Sequence, residues 1–466
     1  MTTEALGSLE NGTALRPAGG ADPTRFDWRA AWYPVFYERD LDRQRPNRFT
    51  LLGEDLVIWW DGLASAWRVF TDACPHRLAP LSQGRINEAG QLECPYHGWA
   101  FDGAGRCQVI PQEPAGGLAH QSARACLRAW PAVVRQGLLF VYAGDPEAAA
   151  QTAVPTLPVL DEDPAGWVCI ETFRDLPYDA LTLLENVLDA SHVPYTHHRT
   201  VGNRANAGPV NLEVLAAGRQ GFQGVWTEGP RRGTLGRQDT TFVAPALMWH
   251  DLSAKQLGRT LTVVYATPIR RGECRLFARF PFQFASPIPA LVLKLTPRWL
   301  NHLSQNRILE DDQIFLHHQE RYLAQRGGGD AFAKAYYLPL GADRFVIELR
   351  RWVQTYGADP FPGDPWPATL ADEALMDRYH SHTQSCASCR TALARLQQLR
   401  QVCLVLGLAL AAILPWMVAY RPAAVGIGPV VGGFMILAFL GTWAALGRLI
   451  PRFHQGDPIP ARNRLK

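Results

Sequence analysis

Cys74-Pro75-His76-Arg77-Leu78-Ala79-Pro80-Leu81-Ser82, followed downstream by Cys94-Pro95-Tyr96-His97-Gly98-Trp99, is the stretch that decides the fold. Two cysteines and two histidines in this order supply the donors for tetrahedral zinc or for a two-iron cluster. The spacing favours the cluster. A Cys-X-His loop and a Cys-X2-His loop each offer one thiolate and one imidazole, so one iron can take both thiolates and the other both imidazoles. Neutral imidazole in place of thiolate removes negative charge and raises the reduction potential, which lets the cluster accept electrons from a low-potential donor. Cys74, His76, Cys94 and His97 are therefore the expected ligands of a Rieske-type [2Fe-2S] centre.

Outward from this stretch, residues 28–142 show short apolar runs broken by turn residues. Leu56-Val57-Ile58-Trp59-Trp60 runs into Asp61-Gly62, and Leu138-Leu139-Phe140-Val141-Tyr142 into Ala143-Gly144-Asp145. That spacing predicts an all-β module. An Ala-, Pro- and Asp-rich linker is expected over 145–166. Residues 179–191 then place Leu181, Leu184, Val187 and Leu188 at helical spacing, and Pro194 is expected to end or kink that helix. Alternating segments at 224–227, 240–243, 261–266 and 275–282 predict an antiparallel sheet. A second helix is predicted over 303–325, stopping at Gly327-Gly328-Gly329.

Asn186-X2-Asp189-X2-His192-X4-His197 closes the first of these helices. Two imidazoles and one later carboxylate make the facial triad of non-haem Fe(II), with positions left open for O2 and substrate. Two histidines five apart are common and by themselves read as structural; the cluster motif upstream is what turns them into metal ligands. His192 is expected on the last turn of the helix, with a bend at Pro194 returning His197 to the same ion. His198 is the fallback ligand. Asp189, on one helix face with His192, can accept an imidazole N–H and orient the ring, the bland alternative being a solvated carboxylate. For the third ligand the choice lies between Asp311 and Asp312. Successive helical residues stand about 100° apart. Asp312 shares its stripe with Ile308, Leu309, Phe315, Leu316 and Leu323, whereas Asp311 shares its own with Arg307 and His318. A carboxylate on the apolar, core-facing stripe is costly unless paired or bound to metal, so Asp312 is the expected ligand.

The 466 residues carry 46 basic and 43 acidic side chains, a formal charge of +3. This length calls for two or three domains, and no basic run marks a nucleic-acid footprint. Nine cysteines scattered over a long chain exclude a disulfide-stapled secreted scaffold. Residues 1–25 are expected to be a disordered leader. They have neither the apolar run of a secretory signal nor the Arg- and Ser-rich makeup of a transit peptide, which suggests a prokaryotic or already-mature chain. Residues 402–420 and 423–446 hold no charged side chain and are separated by Arg421-Pro422. Each is long enough to cross a hydrocarbon core of about 30 Å. Arg390, Arg395 and Arg400 precede this hairpin; Arg448, Arg452, Arg462, Arg464 and Lys466 follow it. The positive-inside rule then puts both the catalytic body and a basic tail on the cytoplasmic or stromal side. Cys386-X2-Cys389, in what reads as a linker, suits a thiol–disulfide switch, half of a metal site or two ordinary thiols. The dithiol is slightly favoured, and His380 and His382 nearby leave metal binding open.

Together these residues resemble the Rieske oxygenases of the pheophorbide a oxygenase family, which includes chlorophyllide a oxygenase-like enzymes, the plant cell-death suppressor and the Rieske subunit of the chloroplast translocon. The resemblance rests on Trp32-Tyr33-Pro34-Val35, the two cluster loops, Ile110-Pro111-Gln112 and the 186–197 stretch, and is strengthened by Cys386-X2-Cys389 and the C-terminal hairpin. It implies an α+β chain: an antiparallel-β Rieske domain (26–150), a helix-grip, START-like catalytic domain (165–355), a linker (356–400), two transmembrane helices (402–446) and a basic tail (447–466). It further implies homotrimers in which Asp189 carries electrons from the cluster of one subunit to the iron of the next, and a large planar, tetrapyrrole-like substrate. The spacing from Asp312 to Gln319 also looks like the family's pattern. The expected activity is that of a monooxygenase using O2. No dinucleotide fingerprint or flavin domain is present, so electrons must come from a separate ferredoxin or reductase. The competing expectation is a membrane redox sensor or electron-transfer subunit, which has no need of His192 and His197.

Overall fold

The computed structural model describes residues 24–254, 258–357, 359–420 and 427–464. The leader expected over 1–25 lies almost wholly outside the described residues, as do the Arg421-Pro422 turn and Lys466. The chain divides into two compact units: the residues up to Leu295 with Asp312–Thr369, and Thr296–Asp311 with Leu370–Lys466.

The first unit opens with three small antiparallel sheets. Trp32–Tyr37, Leu138–Tyr142 and Ala132–Arg135 make one. Asn47–Leu51, Glu54–Asp61, Ala66–Thr71 and Ala129–Trp130 make the second. Arg85–Ile86, Leu92–Glu93, Ala100–Phe101 and Cys107–Val109 make the third. The run Leu56 to Trp59 is buried on both faces of its strand, which is why it lacks alternation.

A seven-stranded antiparallel sheet follows. Its strands in chain order are Val168–Leu176, Leu212–Gly218, Gly221–Trp226, Gln238–Val243, Leu247–Ala254, Gly258–Arg270 and Glu273–Gln283. The last six form a meander, and the first strand pairs with the last, Val168 opposite Phe282 and Leu176 opposite Cys274. The four alternating segments expected from the sequence overlap four of these strands, the first running one residue past Trp226, and the other three strands carry no such signal. Because its first strand sits beside its last, the chain between Leu176 and Leu212 must cross the sheet. That crossing contains the helix Ala180–Leu188, the single turn Val193–Thr196 and the histidines between and after them. Ala180–Leu188 packs on the strands Gly258–Arg270 and Glu273–Gln283, and the Arg344–Tyr356 helix on Leu212–Gly218 and Gly221–Trp226. The linker expected over 145–166 includes two short helices, Pro146–Ala149 and Pro158–Glu162.

The two β regions of this unit are joined by polar contacts of buried side chains. Thr267 Oγ1 donates to the Pro34 carbonyl at 2.7 Å, and Tyr37 Oη reaches the carbonyls of Thr172 and Ala278 at 3.3 and 3.2 Å. Arg275 holds Asp175 through Nε (2.5 Å) and Nη2 (2.8 Å) and gives Nη1 to the Val35 carbonyl at 3.1 Å. A buried cation is tolerated when its donors are answered in this way.

The second unit contains the start of the Arg298–Gln325 helix and two long apolar helices, Ala387–Tyr420 and Ile427–Leu449. The first of these begins 15 residues before the span expected from hydropathy, so Cys389 lies in its first turn and Cys386 immediately before it. The segment expected as a linker is to that extent helical, since Arg390, Arg395 and Arg400 interrupt hydropathy but not helix formation. Nor is the basic segment after the hairpin a loose tail. Phe453 is fully buried against Trp299, Thr383 Oγ1 donates to the Phe453 carbonyl at 2.7 Å, and Arg378 N–H to the His454 carbonyl at 2.9 Å. The two helices cross closely at glycines. A β-carbon at Gly407 would stand 2.8 Å from Leu440, and one at Gly432 2.8 Å from Leu414. Their outer faces leave Val405, Leu408, Trp416, Phe434 and Leu437 exposed.

Candidate metal centres

The two cysteine loops share one backbone plan. Cys74 N–H bonds the Ala79 carbonyl and Cys94 N–H the Trp99 carbonyl, at 2.9 and 2.8 Å. In return the Cys74 carbonyl accepts from Leu78 N–H at 2.8 Å and the Cys94 carbonyl from Gly98 N–H at 3.1 Å. Each loop turns back through a left-handed residue four positions after its cysteine, Leu78 (φ 59°) and Gly98 (φ 74°). Glycine eases the second position, where a side chain would be strained by the positive φ and its β-carbon would lie 3.0 Å from the Pro111 ring. This contact gives Ile110-Pro111-Gln112 a physical role, and Gln112 Nε2 donates to the His97 carbonyl at 3.0 Å. Asp72, before the first loop, accepts from Ser82 N–H at 2.7 Å and Ser82 Oγ at 2.6 Å and closes it from behind.

Cys74 and Cys94 are buried in a core of Val57, Trp59, Phe70, Leu81, Leu92 and Phe101. His76 and His97 face outward, their ring centroids 4.6 Å apart, with His76 stacked on Trp99 at 4.7 Å. Burial, reinforced by the facing Cys94, pushes the Cys74 thiol up to about 12. A thiolate at this depth needs metal cations to compensate it, so the donor set fits a two-iron cluster with its thiolate side buried and its imidazole side at the surface.

The second centre forms where the crossing segment meets the Arg298–Gln325 helix. His192 Nε2 stands 3.9 Å from Asp312 Oδ1 and His197 Nε2 3.3 Å from Asp312 Oδ2, and the two rings lie 5.2 Å apart at 68°. One nitrogen from each histidine and one oxygen of Asp312 all lie within 4.8 Å of one another. An ion held at about 2.1 Å by N and O donors places neighbouring donors roughly 3–3.5 Å apart, so the three fit a shared metal. Asn186 Nδ2 approaches Asp312 Oδ1 at 3.4 Å. His198 is outside the group: its Nδ1 accepts from Arg204 N–H at 3.3 Å. Asp311, also buried, has its Oδ1 3.9 Å from Arg462.

Three local expectations are corrected. The helix ends at Leu188, with Asp189 extended (φ −82°, ψ 99°), so His192 is not on its last turn; it is the N-cap of Val193–Thr196. Pro194 does not break the first helix. It sits in the first turn of the second, where its missing N–H costs nothing. Nor does the Asp189 carboxylate orient His192. Its Oδ1 accepts from Ser191 N–H at 2.7 Å and Ser191 Oγ at 2.6 Å, and it is the Asp189 carbonyl that accepts from His192 Nδ1 at 2.5 Å. A carbonyl can only accept, so Nδ1 carries the proton and Nε2 is left to the metal.

Residues without a sequence signal brace this arrangement. His250 Nε2 donates to the Val187 carbonyl at 2.9 Å, and its Nδ1 accepts from Thr240 Oγ1 at 2.8 Å. Burial lowers its pKa to about 4, which keeps the ring neutral. Glu320 ties the other end of the helix, accepting from Asp179 N–H and Thr182 Oγ1, both at 2.7 Å. Arg350 pairs with Glu185 in its middle. In the second unit Cys386 and Cys389 converge with His382 and with His302, the last unmarked in the sequence, while His380 points away to Asp377 at 2.6 Å.

Residues 31–131 match the Rieske [2Fe-2S] domain family and residues 242–330 the pheophorbide a oxygenase family. The chain is 38% identical over 416 residues to the chloroplastic pheophorbide a oxygenase of Oryza sativa subsp. japonica, covering 83% of this chain and 77% of the rice protein. The chain belongs to the pheophorbide a oxygenase family of Rieske oxygenases. A second relative, flavonoid 8-hydroxylase 2 of Ocimum basilicum, is 35% identical over 409 residues, covering 80% of this chain and 75% of the relative. The crystal structure of dicamba monooxygenase bound to dicamba superimposes with a TM-score of 0.55 over 70% of this chain and 97% of that one, at 22% identity, and shares its fold. This Rieske non-haem iron oxygenase therefore uses a [2Fe-2S] cluster and a mononuclear iron, and the two donor sets described above suit those two groups.

Proposed function

We propose that the cluster is held by Cys74, His76, Cys94 and His97, that the mononuclear iron is held by His192, His197 and Asp312, and that the enzyme oxygenates a large planar tetrapyrrole of the pheophorbide or chlorophyllide kind. The observation that carries this reading is the convergence of His192, His197 and Asp312, which a pure electron carrier or redox sensor does not need. When bound, the cluster supplies electrons singly and the iron activates O2. The protein's part is positional. The Asp189 carbonyl and His250 fix the first histidine and the turn before it, Asn186 steadies the Asp312 carboxylate, and His76 and His97 would hold the cluster's imidazole side at the surface, within reach of an external ferredoxin or ferredoxin reductase.

The membrane reading rests on two helices long and apolar enough to cross a bilayer, whose outward side chains are mostly exposed. The chain after the second helix packs on residues 376–384, just before the first, so both ends of the hairpin open on one side. With arginines at both ends, that side is the cytoplasmic or stromal one. A flavonoid is the second candidate substrate, on the strength of the basil relative.

The test is reconstitution of the full chain with ferredoxin, reductase and O2, with pheophorbide a, chlorophyllide a and a flavone supplied in parallel. Oxygen incorporation into a tetrapyrrole, with three irons and two labile sulfides per chain, is the expected result. Oxygenation of the flavone alone would replace the substrate class, and electron transfer with no product from any of them would favour the redox subunit.

A further inference from the structure

The second unit contains a cluster of donors that neither the oxygenase chemistry nor the cluster loops use. His302 Nδ1 lies 3.0 Å from His382 Nε2, 3.4 Å from Cys386 Sγ and 3.4 Å from Cys389 Sγ, and His382 Nε2 lies 3.4 Å from Cys389 Sγ. All four ligating atoms are within 4.8 Å of one another. The four residues are buried to 0–1% exposure.

Ordinary hydrogen bonding does not account for this. A ring nitrogen offers one hydrogen or one lone pair, and so satisfies one partner. Here three polar atoms from two elements converge on Nδ1 of His302. A single cation among them would serve all four at once. Zinc bound to sulfur at about 2.3 Å and to nitrogen at about 2.0–2.1 Å gives tetrahedral edges of roughly 3.3–3.8 Å, within a few tenths of an ångström of these separations. The backbone is arranged to match. His382, Cys386 and Cys389 follow at spacings of four and three, through a π-helical turn (Tyr379–Thr383) into the first turn of Ala387–Tyr420, and so share one face. His302 comes from the Arg298–Gln325 helix, opposite that face.

We infer that His302, His382, Cys386 and Cys389 form a closed, structural Cys2His2 zinc site that bolts the base of the apolar hairpin to the Arg298–Gln325 helix. Two thiolates and two imidazoles in a tetrahedron are the donor set that suits zinc, and with every position taken by protein there is no place for substrate. Binding displaces two thiol protons: Zn2+ replaces the hydrogens of Cys386 and Cys389, which leave as H+, and nothing is oxidised or reduced. The dithiol switch favoured from the sequence fits this site poorly, because thiol–disulfide exchange needs an accessible sulfur.

The test is metal analysis of the full chain purified in detergent, together with X-ray absorption at the zinc edge. One zinc per chain beyond the iron, with two sulfur and two nitrogen scatterers, is expected. Cys389→Ser and His302→Gln should each lower zinc to background while the visible Rieske absorption and the iron count stay unchanged. Should those variants fail to fold, the unaltered protein decides: after replacement of zinc by cobalt it should show the intense absorption of tetrahedral cobalt–thiolate. Cys386 and Cys389 should resist alkylation until a chelator is added. Purified protein without zinc and with a Cys386–Cys389 disulfide, or with iron in place of zinc at this site, would overturn the assignment.

Discussion

At the scale of single residues, the neighbouring carboxylates Asp311 and Asp312 are separated by helical phase alone. Both are buried, but Asp312 faces the two histidines and Asp311 lies beside Arg462. Asp312→Ala should therefore lose the mononuclear iron and cut product formation by on the order of a hundredfold or more, the scale that even outer-shell changes reach. Asp311→Ala should keep its iron and substantial activity; iron analysis and single-turnover assays read both. His250 yields a pH prediction. Its pKa in the fold is about 4, below the value of about 6.5 in an unfolded chain, so between these the unfolded state binds more protons. Its contribution is complete above about pH 6.5 and is lost as pH falls through about 4. His250→Gln should flatten that part of the stability–pH curve, and the native imidazole should not titrate between pH 8 and 5 when followed by NMR.

Among the elements, the hairpin most rewards attention to its ends. Hydropathy marks residues 402–446 as removable, yet the residues beyond them bury Phe453 and hold Arg378 and Thr383 through backbone carbonyls. Cutting the chain at 402 would strip that packing away, and burying an aromatic of this size contributes roughly 1.5–3 kcal/mol. Replacing residues 402–449 by a short Gly-Ser linker while keeping 450–464 should release the enzyme into the soluble fraction with cluster and iron intact. Continued sedimentation with vesicles after a salt wash would show that another surface holds the membrane.

For the whole molecule, the homotrimer expected from the resemblance is a matter for test, and in such a trimer Asp189 is where assembly would be felt. Its carboxylate is tied to Ser191 and not to His192, and the residue is part-exposed at the end of the Ala180–Leu188 helix. If electrons pass from the cluster of one subunit to the iron of its neighbour, a Cys94→Ser chain and an Asp312→Ala chain, each inactive alone, should regain activity when co-assembled. Mixed trimers have subunit pairs in which an intact cluster faces an intact iron site. Inactive hybrids of confirmed trimeric mass would place the transfer within one chain. Asp189→Asn should slow the restored transfer while leaving the iron content unchanged.

Much of this protein was legible in the amino-acid order because its chemistry is local. Each cluster loop closes on hydrogen bonds within six residues of its cysteine, so Cys74-X-His76 and Cys94-X2-His97 state their own geometry. Asp312 could be preferred over Asp311 because helical phase is a local property too. The strands Val168–Leu176, Leu212–Gly218 and Leu247–Ala254 were missed because their side chains answer to neighbours across the sheet more than to any alternation of their own. The end of the helix at Leu188 is not marked in the sequence because Asp189-Ala190-Ser191 holds no glycine or proline to stop a helix before Pro194, while in the fold Asp189 turns extended and its carbonyl meets His192. Only the tertiary structure could bring His250 under Val187, Glu320 to the start of the Ala180–Leu188 helix, and His302 to Cys386 and Cys389. Those partners lie 63 to 141 residues apart, and a lone histidine or glutamate has no spacing to betray what it will meet once the chain has folded.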